Sequence, residues 1–84
     1  MAYKLSLKKK ALQALDKIND PDYSKIKSAI YTLSENPRPH GYKKLKGRDG
    51  YRIRVGNYRI VYEVFDKLLI VEIIAVGDRK NIYD

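Results

Sequence analysis

Residues 51–62 read Tyr-Arg-Ile-Arg-Val-Gly-Asn-Tyr-Arg-Ile-Val-Tyr. Apolar and basic side chains alternate on both sides of Gly56 and Asn57, which is typical of two β-strands joined by a two-residue turn that begins with glycine. In that register Arg54 lies directly opposite Arg59. Because like charges that face each other across an antiparallel pair destabilise it, the hairpin predicts an anionic partner for its basic side.

Two further strands are predicted outside the hairpin. Residues 68–76 form a long apolar run that follows a turn at Asp66-Lys67, and residues 3–7 alternate between apolar and polar side chains. With the turn at residues 66 and 67, Glu72 is expected opposite Val61. The sheet is therefore expected to contain roughly four strands, mainly antiparallel and twisted.

Two helices are predicted between the first strand and the hairpin. Apolar residues recur at helical spacing over residues 11–18 and again over 23–33. Asp20 and Pro21 are expected to be the N-cap and first residue of the second helix, about three residues after the first. An antiparallel helix pair follows, and residues 37–50 are expected to form a loop.

These elements predict one α+β domain over residues 1–84, with the helix hairpin packed on one face of the sheet. The face expected to hold the core carries Tyr51, Ile53, Val55, Tyr58, Ile60, Tyr62, Val64, Leu69, Val71, Ile73 and Ala75. The opposite face is expected to carry Arg52, Arg54, Arg59, Val61, Glu63, Phe65, Leu68, Ile70, Glu72, Ile74 and Val76.

The chain carries a formal net charge of +8, and nearly all of the excess lies in one segment. Residues 36–59 contain eight basic side chains and one acidic side chain, a net +7. Such clustering is typical of a nucleic-acid partner, although a solvated basic surface has the same composition. Cysteine is absent, and no secretory signal or membrane-spanning run is predicted, so a cytoplasmic protein is expected.

The C-terminal residues are expected to join the basic side of the hairpin. The last strand runs back toward Arg54 and Arg59, so Arg79 and Tyr83 are predicted to emerge beside them. The alternative is structural: Arg59 pairs with Glu63 or Glu72, and Tyr83 packs on the sheet edge.

The candidate chemistry rests on arginine, because no nucleophile–base pair, metal-ligand cluster or glycine-rich phosphate loop is visible. His40 is interpreted as an ordinary surface residue. Guanidinium groups suit the cleavage of an RNA phosphodiester by its own 2′-OH, since negative charge grows on the phosphate oxygens in that reaction. Tyr83 is the candidate proton acceptor, because neighbouring cations favour a phenolate.

The hairpin sequence, the Leu-Lys-Gly at residues 45–47 and the Val-Gly-Asp-Arg-Lys-Asn-Ile-Tyr at residues 76–83 resemble the RelE toxins of bacterial toxin–antitoxin systems, over essentially the whole chain. The resemblance implies a metal- and cofactor-independent mRNA endoribonuclease that cuts codons in the ribosomal A site and is inhibited by a cognate antitoxin. It implies no membrane partner, and the toxin alone is expected to be monomeric.

Position by position, the resemblance implies that Arg59 and Arg79 stabilise the phosphate and that Tyr83 is the general base. Arg52 and Arg54 are expected to bind RNA and support the acid–base steps. The basic segment that is expected to meet mRNA or ribosomal RNA contains Lys43, Lys44, Lys46 and Arg48. Two alternatives stay open: a ParE-like inhibitor of DNA gyrase from the sister branch of the superfamily, and an inactive toxin that binds RNA without cutting it.

Overall fold

The computed structural model describes residues 2–78. It contains two helices and five strands within these residues, and the predicted α+β class is confirmed. In chain order they are β1 (Lys4–Leu7), α1 (Lys9–Asp16), α2 (Asp22–Glu35), β2 (Lys43–Lys44), β3 (Tyr51–Val55), β4 (Tyr58–Phe65) and β5 (Ile70–Asp78).

The strands form one mixed sheet in the order β1-β5-β4-β3-β2. β1 runs parallel to β5, and the other neighbours are antiparallel. The expected count of roughly four strands was one too low, because β2 lies inside the predicted loop. Its two residues pair with the start of β3, Lys43 with Arg52 and Lys44 with Tyr51.

Both helices pack on the same face of the sheet. Ala11 of α1 and the apolar stripe of α2, namely Ile26, Ile30 and Leu33, share one core with the apolar residues of β3, β4 and β5. Helical periodicity explains this, because residues three and four apart lie on one side of a helix. Within residues 2–78, neither helix is long and apolar enough to cross a membrane.

The second helix starts one residue later than expected, at Asp22, with Pro21 at the N-cap position. Asp20 still supplies a cap, because its Oδ1 accepts hydrogen bonds from the backbone N–H of Ser24 at 2.9 Å and from the Ser24 hydroxyl. These two bonds lower the pKa of Asp20. Residues 17–21 connect the helices, rather than about three residues.

The register predicted for the hairpin is confirmed along its whole length. Val55 faces Tyr58, Arg54 faces Arg59, and Arg52 faces Val61. Gly56 has a φ of +60°, a left-handed backbone conformation that glycine adopts at little cost in this type of turn.

The predicted register of the last strand is wrong in two places. The turn takes four residues, 66–69, so Phe65 pairs with Ile70 and Glu63 with Glu72. A β-bulge then shifts the pairing: Tyr62 faces Ile73, but Val61 faces Ala75.

The bulge moves two residues to the opposite faces from those predicted. Val76, expected on the outer face, is opposite Ile60 and belongs to the core. Ala75, expected in the core, shares the outer face with Val61. An extra residue in one strand has this effect because side chains alternate strictly with a period of two.

Replacing Tyr62 by phenylalanine is expected to destabilise the fold by about 1–3 kcal/mol, the usual cost of leaving a buried polar group unsatisfied. The buried Tyr62 hydroxyl donates a 2.7 Å hydrogen bond to the carbonyl oxygen of Pro37, and burial raises the pKa of this phenol. Urea unfolding measures the effect. Tyr31→Phe, at an exposed position on α2, is the matched control. Equal stability of the two variants would show that the hydrogen bond from Tyr62 to Pro37 does not stabilise the fold.

Candidate nucleic-acid interface

Within residues 2–78, four cations of β2 and the β3–β4 hairpin cluster on the face of the sheet that points away from the helices. Arg52 and Arg54 alternate with the buried Ile53 on β3, Arg59 faces Arg54 from β4, and Lys43 faces Arg52 from β2. Directly opposed residues in a sheet share a face. We call Lys43, Arg52, Arg54 and Arg59 the basic face.

The four cations differ in how deeply they lie. Lys43 and Arg54 are exposed, whereas Arg52 and Arg59 are half-buried and their Nε atoms are inaccessible to solvent. Val61 lies between them on the same face and is only 2% exposed. An apolar, water-poor setting strengthens the interaction of a guanidinium group with an anion, so Arg52 and Arg59 are the better placed to stabilise charge.

The bulge in β5 determines what lies next to Arg59. Its directly opposed residue on β5 is Gly77, and the next pair on this face is Val61 with Ala75. Without the bulge, a valine would stand beside the arginine. Glycine and alanine instead leave a shallow floor on which a phosphate group can approach the guanidinium.

The outer face has opposite charges at its two ends. Glu63 and Glu72 face each other, and Glu63 is four residues from Arg59 along β4, roughly 13 Å at the usual rise of a strand. The expected opposition of Glu72 and Val61 is wrong. The structural alternative for Arg59 relied in part on that opposition, and the observed register moves Glu72 away from the basic face.

A groove of about 330 Å³ runs along the basic face on the side of β2. It lies between the loop before β2 and the start of the hairpin, and it is lined by His40, Gly41, Lys43, Arg52, Ile53 and Arg54. None of these lining residues is acidic. Its volume is at the lower end of the range for small-molecule sites.

The basic segment predicted from the sequence divides between two places. Lys43 lines the groove, whereas Lys44 points to the other side of β2 and lines a separate pocket together with Asp49 and Glu63. Lys46 and Arg48 are exposed in the connection between β2 and β3. Arg79 and Tyr83 lie outside the described residues, so their predicted places beside Arg59 remain predictions.

The loop that carries His40 is held by a polar network. Arg38 donates hydrogen bonds to Asp66 Oδ2 at 2.9 Å and to the Tyr51 hydroxyl at 3.2 Å, and the Tyr3 hydroxyl donates to Asp66 Oδ1 at 2.7 Å. The bonds from Arg38, and then that from Tyr3, lower the pKa of Asp66. The same contact with Asp66 raises the pKa of Tyr3.

Replacing Asp66 by asparagine is expected to lower the melting temperature at neutral pH, by an amount that shrinks below pH 3.8. The folded-state pKa of Asp66 is depressed from 3.8, so its stabilisation is present above that value and is lost as the pH falls through the folded-state pKa. Thermal melts between pH 7 and pH 2.5 measure the difference. Asp16→Asn, at an exposed position on α1, is the control. A difference in melting temperature between the wild type and Asp66→Asn that stays constant with pH would contradict the stabilising role of the Asp66 carboxylate.

Two features of this site were missed from the sequence. The sequence predicts a loop where Lys43 and Lys44 form β2, although Gly47 and Gly50 follow them closely. His40 is exposed, as an ordinary surface residue would be, and the sequence carries no signal for its position in the lining of the groove beside the arginines. Residues 2–78 contain no group of three or more His, Cys, Asp or Glu side chains arranged to hold a metal ion.

A cluster of arginine and lysine on one face of a small domain is typical of proteins that bind nucleic acid. Comparison with known proteins identifies the class of protein more narrowly. A family model described as "ParE toxin of type II toxin-antitoxin system, parDE" matches residues 5–83. The chain is 34% identical to the mRNA interferase toxin RelE of Escherichia coli, over 96% of this chain and 87% of that protein.

Solved structures agree with this result. The RelE–RelB complex of the archaeon Pyrococcus horikoshii matches with a TM-score of 0.84 and 27% identity, covering 98% of this chain and all of that one. The intact RelBE toxin–antitoxin complex of Escherichia coli matches with a TM-score of 0.79 and 34% identity, covering 92% and 96% of the two chains. This chain therefore belongs to the RelE family, within the RelE/ParE superfamily of type II toxins.

Proposed function

We propose that this chain is the toxin of a type II toxin–antitoxin system and that it cleaves mRNA codons in the ribosomal A site. The observation that carries the proposal is the basic face, on which the half-buried Arg59 lies beside Gly77. Such a site holds a phosphodiester against a guanidinium group in a water-poor setting. We place the protein in the cytoplasm, where its substrate is, as a single domain that is monomeric without its antitoxin.

In the proposed reaction the 2′-oxygen of the RNA attacks the neighbouring phosphorus and the bond from phosphorus to the 5′-oxygen breaks. The products are a 2′,3′-cyclic phosphate and a 5′-hydroxyl end. Arg59, together with Arg79, stabilises the charge that grows on the non-bridging oxygens. Tyr83 accepts the proton of the 2′-hydroxyl, and the leaving oxygen takes a proton from water. Arg52 and Arg54 hold the RNA.

Primer extension on mRNA in translating ribosomes, beside the same RNA without ribosomes, tests the proposed activity. We expect cuts within codons only when ribosomes are present, with 2′,3′-cyclic phosphate ends. Salt-sensitive binding to RNA without any cut would instead support the inactive, RNA-binding alternative.

The gyrase alternative has one observation in its favour, which is the ParE description of the matching family model. The relatives in the comparison above that are 34% identical carry the RelE name, and the basic face suits a phosphodiester. A DNA supercoiling assay separates the two: inhibition of gyrase with no mRNA cuts would overturn the proposed function.

A cognate antitoxin is the proposed protein partner. The matching RelE structures from Pyrococcus horikoshii and Escherichia coli are complexes with RelB. We propose that the antitoxin covers the basic face and so blocks access of RNA to Arg59. Titration of the antitoxin into the cleavage assay should abolish activity near one equivalent of toxin.

A further inference from the structure

Several side-chain contacts anchor the loop between α2 and β2 to the rest of the fold. The Tyr62 hydroxyl binds the Pro37 carbonyl from the core. Arg38 binds Asp66 and Tyr51, and its guanidinium also lies over the Tyr51 ring, 5.1 Å from the ring centre. Anchors on the sheet and on the β4–β5 turn therefore fix the first half of this loop.

The second half of the loop is a tight turn with His40 at its tip. The backbone N–H of Tyr42 donates a 3.0 Å hydrogen bond to the Pro39 carbonyl, and Gly41 has a φ of +92°. These are the features of a type II turn, which places His40 at its second position and glycine at its third. The Tyr42 ring packs edge-on against Tyr51, with ring centres 5.6 Å apart, and so fixes the turn to the sheet.

The turn places His40 beside the basic face. His40 is exposed, and it lines the same groove as Lys43, Arg52 and Arg54. Lys43 and Arg52 face each other across β2 and β3, which brings two cations together on the wall of the groove. A planar aromatic ring beside paired cations is the combination that holds single-stranded RNA, because bases stack on rings and cations bind the backbone.

We propose that this groove is a subsite for one nucleotide next to the codon position that is cut, with His40 stacking on the base and Lys43 with Arg52 holding its phosphate. The inference rests on the proposed function for the cleavage site, but the subsite itself is defined by binding. Base stacking on an aromatic side chain is worth roughly 5- to 150-fold in affinity, so His40 is expected to affect binding more than the chemical step.

The test compares His40→Ala with His40→Phe, which keeps a ring that can stack. The binding probe is a short single-stranded RNA with a 2′-O-methyl group at every position, so that it cannot be cut. We expect His40→Ala to weaken its binding by roughly 5- to 150-fold and His40→Phe to remain within about threefold of wild type. In ribosomal cleavage the alanine variant should raise KM more than it lowers kcat.

Tyr31→Ala is the control, since Tyr31 is an exposed aromatic on α2, outside the groove, and it should bind RNA like the wild type. Unchanged RNA binding in His40→Ala would overturn the subsite, and so would equal losses in the alanine and phenylalanine variants. Failure of the wild type to cut mRNA would overturn the proposed function alone, because the binding comparison still decides the subsite.

Discussion

Replacing Arg59 by alanine is expected to reduce codon cleavage by roughly 100- to 1,000-fold, the usual effect of removing one preorganised donor to a developing oxyanion. Arg59 lies on β4 between the buried Ile60 and the hairpin turn, opposite Arg54 and Gly77. Its side chain is half-buried and so has less freedom to move than an exposed arginine, which limits the reorganisation needed during the reaction. Most of the loss should appear in kcat.

The fold should survive this substitution, because Arg59 points away from the core formed by the helices and the sheet. Circular dichroism melts of the purified variant provide that check. Arg59→Lys should recover only part of the activity, since an ammonium group keeps the charge but loses the two-pronged geometry that matches a phosphate. Cleavage at the wild-type rate by Arg59→Ala would contradict the assignment of this residue.

Arg54→Ala is the matched comparison, because Arg54 is the directly opposed arginine but is exposed. An exposed cation contributes mainly through counterion release. Its removal is expected to raise KM and to reduce the salt dependence of RNA binding by about one ion, with a small effect on kcat. Equal losses of kcat in the two variants would show that their difference in burial has no consequence for the reaction.

The hairpin was predictable from the sequence because its local signals agree. Alternation, turn residues and β-branched side chains all favour the same pairing, and Arg54 was therefore placed opposite Arg59 correctly. The helices were predictable for a similar reason, since their apolar stripes have a clear period. Such segments are predictable from the sequence because their local preferences agree with the final fold.

The last strand was harder to place because its turn carries weak local signals. Leu68 and Leu69 are apolar and continue the strand pattern, yet both lie in the turn, and Leu69 has a φ of +54°. The bulge near Ile74 has no sequence signal at all, since every residue from 73 to 76 is apolar. Pairing with β4 and burial of Val76 decide it, and these are tertiary effects.

The wrong register predicted for the last strand matters for the site, because the bulge determines the neighbours of Arg59. The predicted register put Val76 on the outer face, whereas the observed one puts Ala75 and Gly77 there. The sequence thus predicts the arginines of the described sheet, but it does not predict that the small residues Ala75 and Gly77 lie beside Arg59. The groove was missed for a different reason: β2 forms through the pairing of Lys43 and Lys44 with the start of β3, and a strand of two residues is too short to show a period in the sequence.

Replacing Gly50 by alanine is expected to destabilise the protein by about 2–4 kcal/mol, through backbone strain together with overpacking. Gly50 is buried at the end of the β2–β3 connection, and its φ is +119°. A Cβ atom there would lie 3.1 Å from Leu45 Cδ1 and 3.1 Å from the backbone oxygen of Tyr62. The backbone oxygen belongs to a central strand and has little freedom to move.

Gly47→Ala separates the two causes of this loss. Gly47 also has a positive φ, +73°, but a Cβ atom there meets no other atom within 4 Å. Its substitution should cost only the conformational strain, about 1–2 kcal/mol. Urea unfolding of both variants gives the difference, and equal losses would show that close approach to Tyr62 contributes nothing.

The Gly50 substitution should also weaken RNA binding at temperatures where the fold persists. The Gly50 carbonyl accepts a 3.0 Å hydrogen bond from the Leu45 N–H, which closes the connection and aligns β2 beside β3. Displacement of Gly50 therefore shifts Lys43 relative to Arg52, although neither residue is changed. Gly47→Ala leaves this hydrogen bond intact and should bind RNA like the wild type. Equal RNA affinity of the two variants would show that destabilising this connection does not change the geometry of the groove.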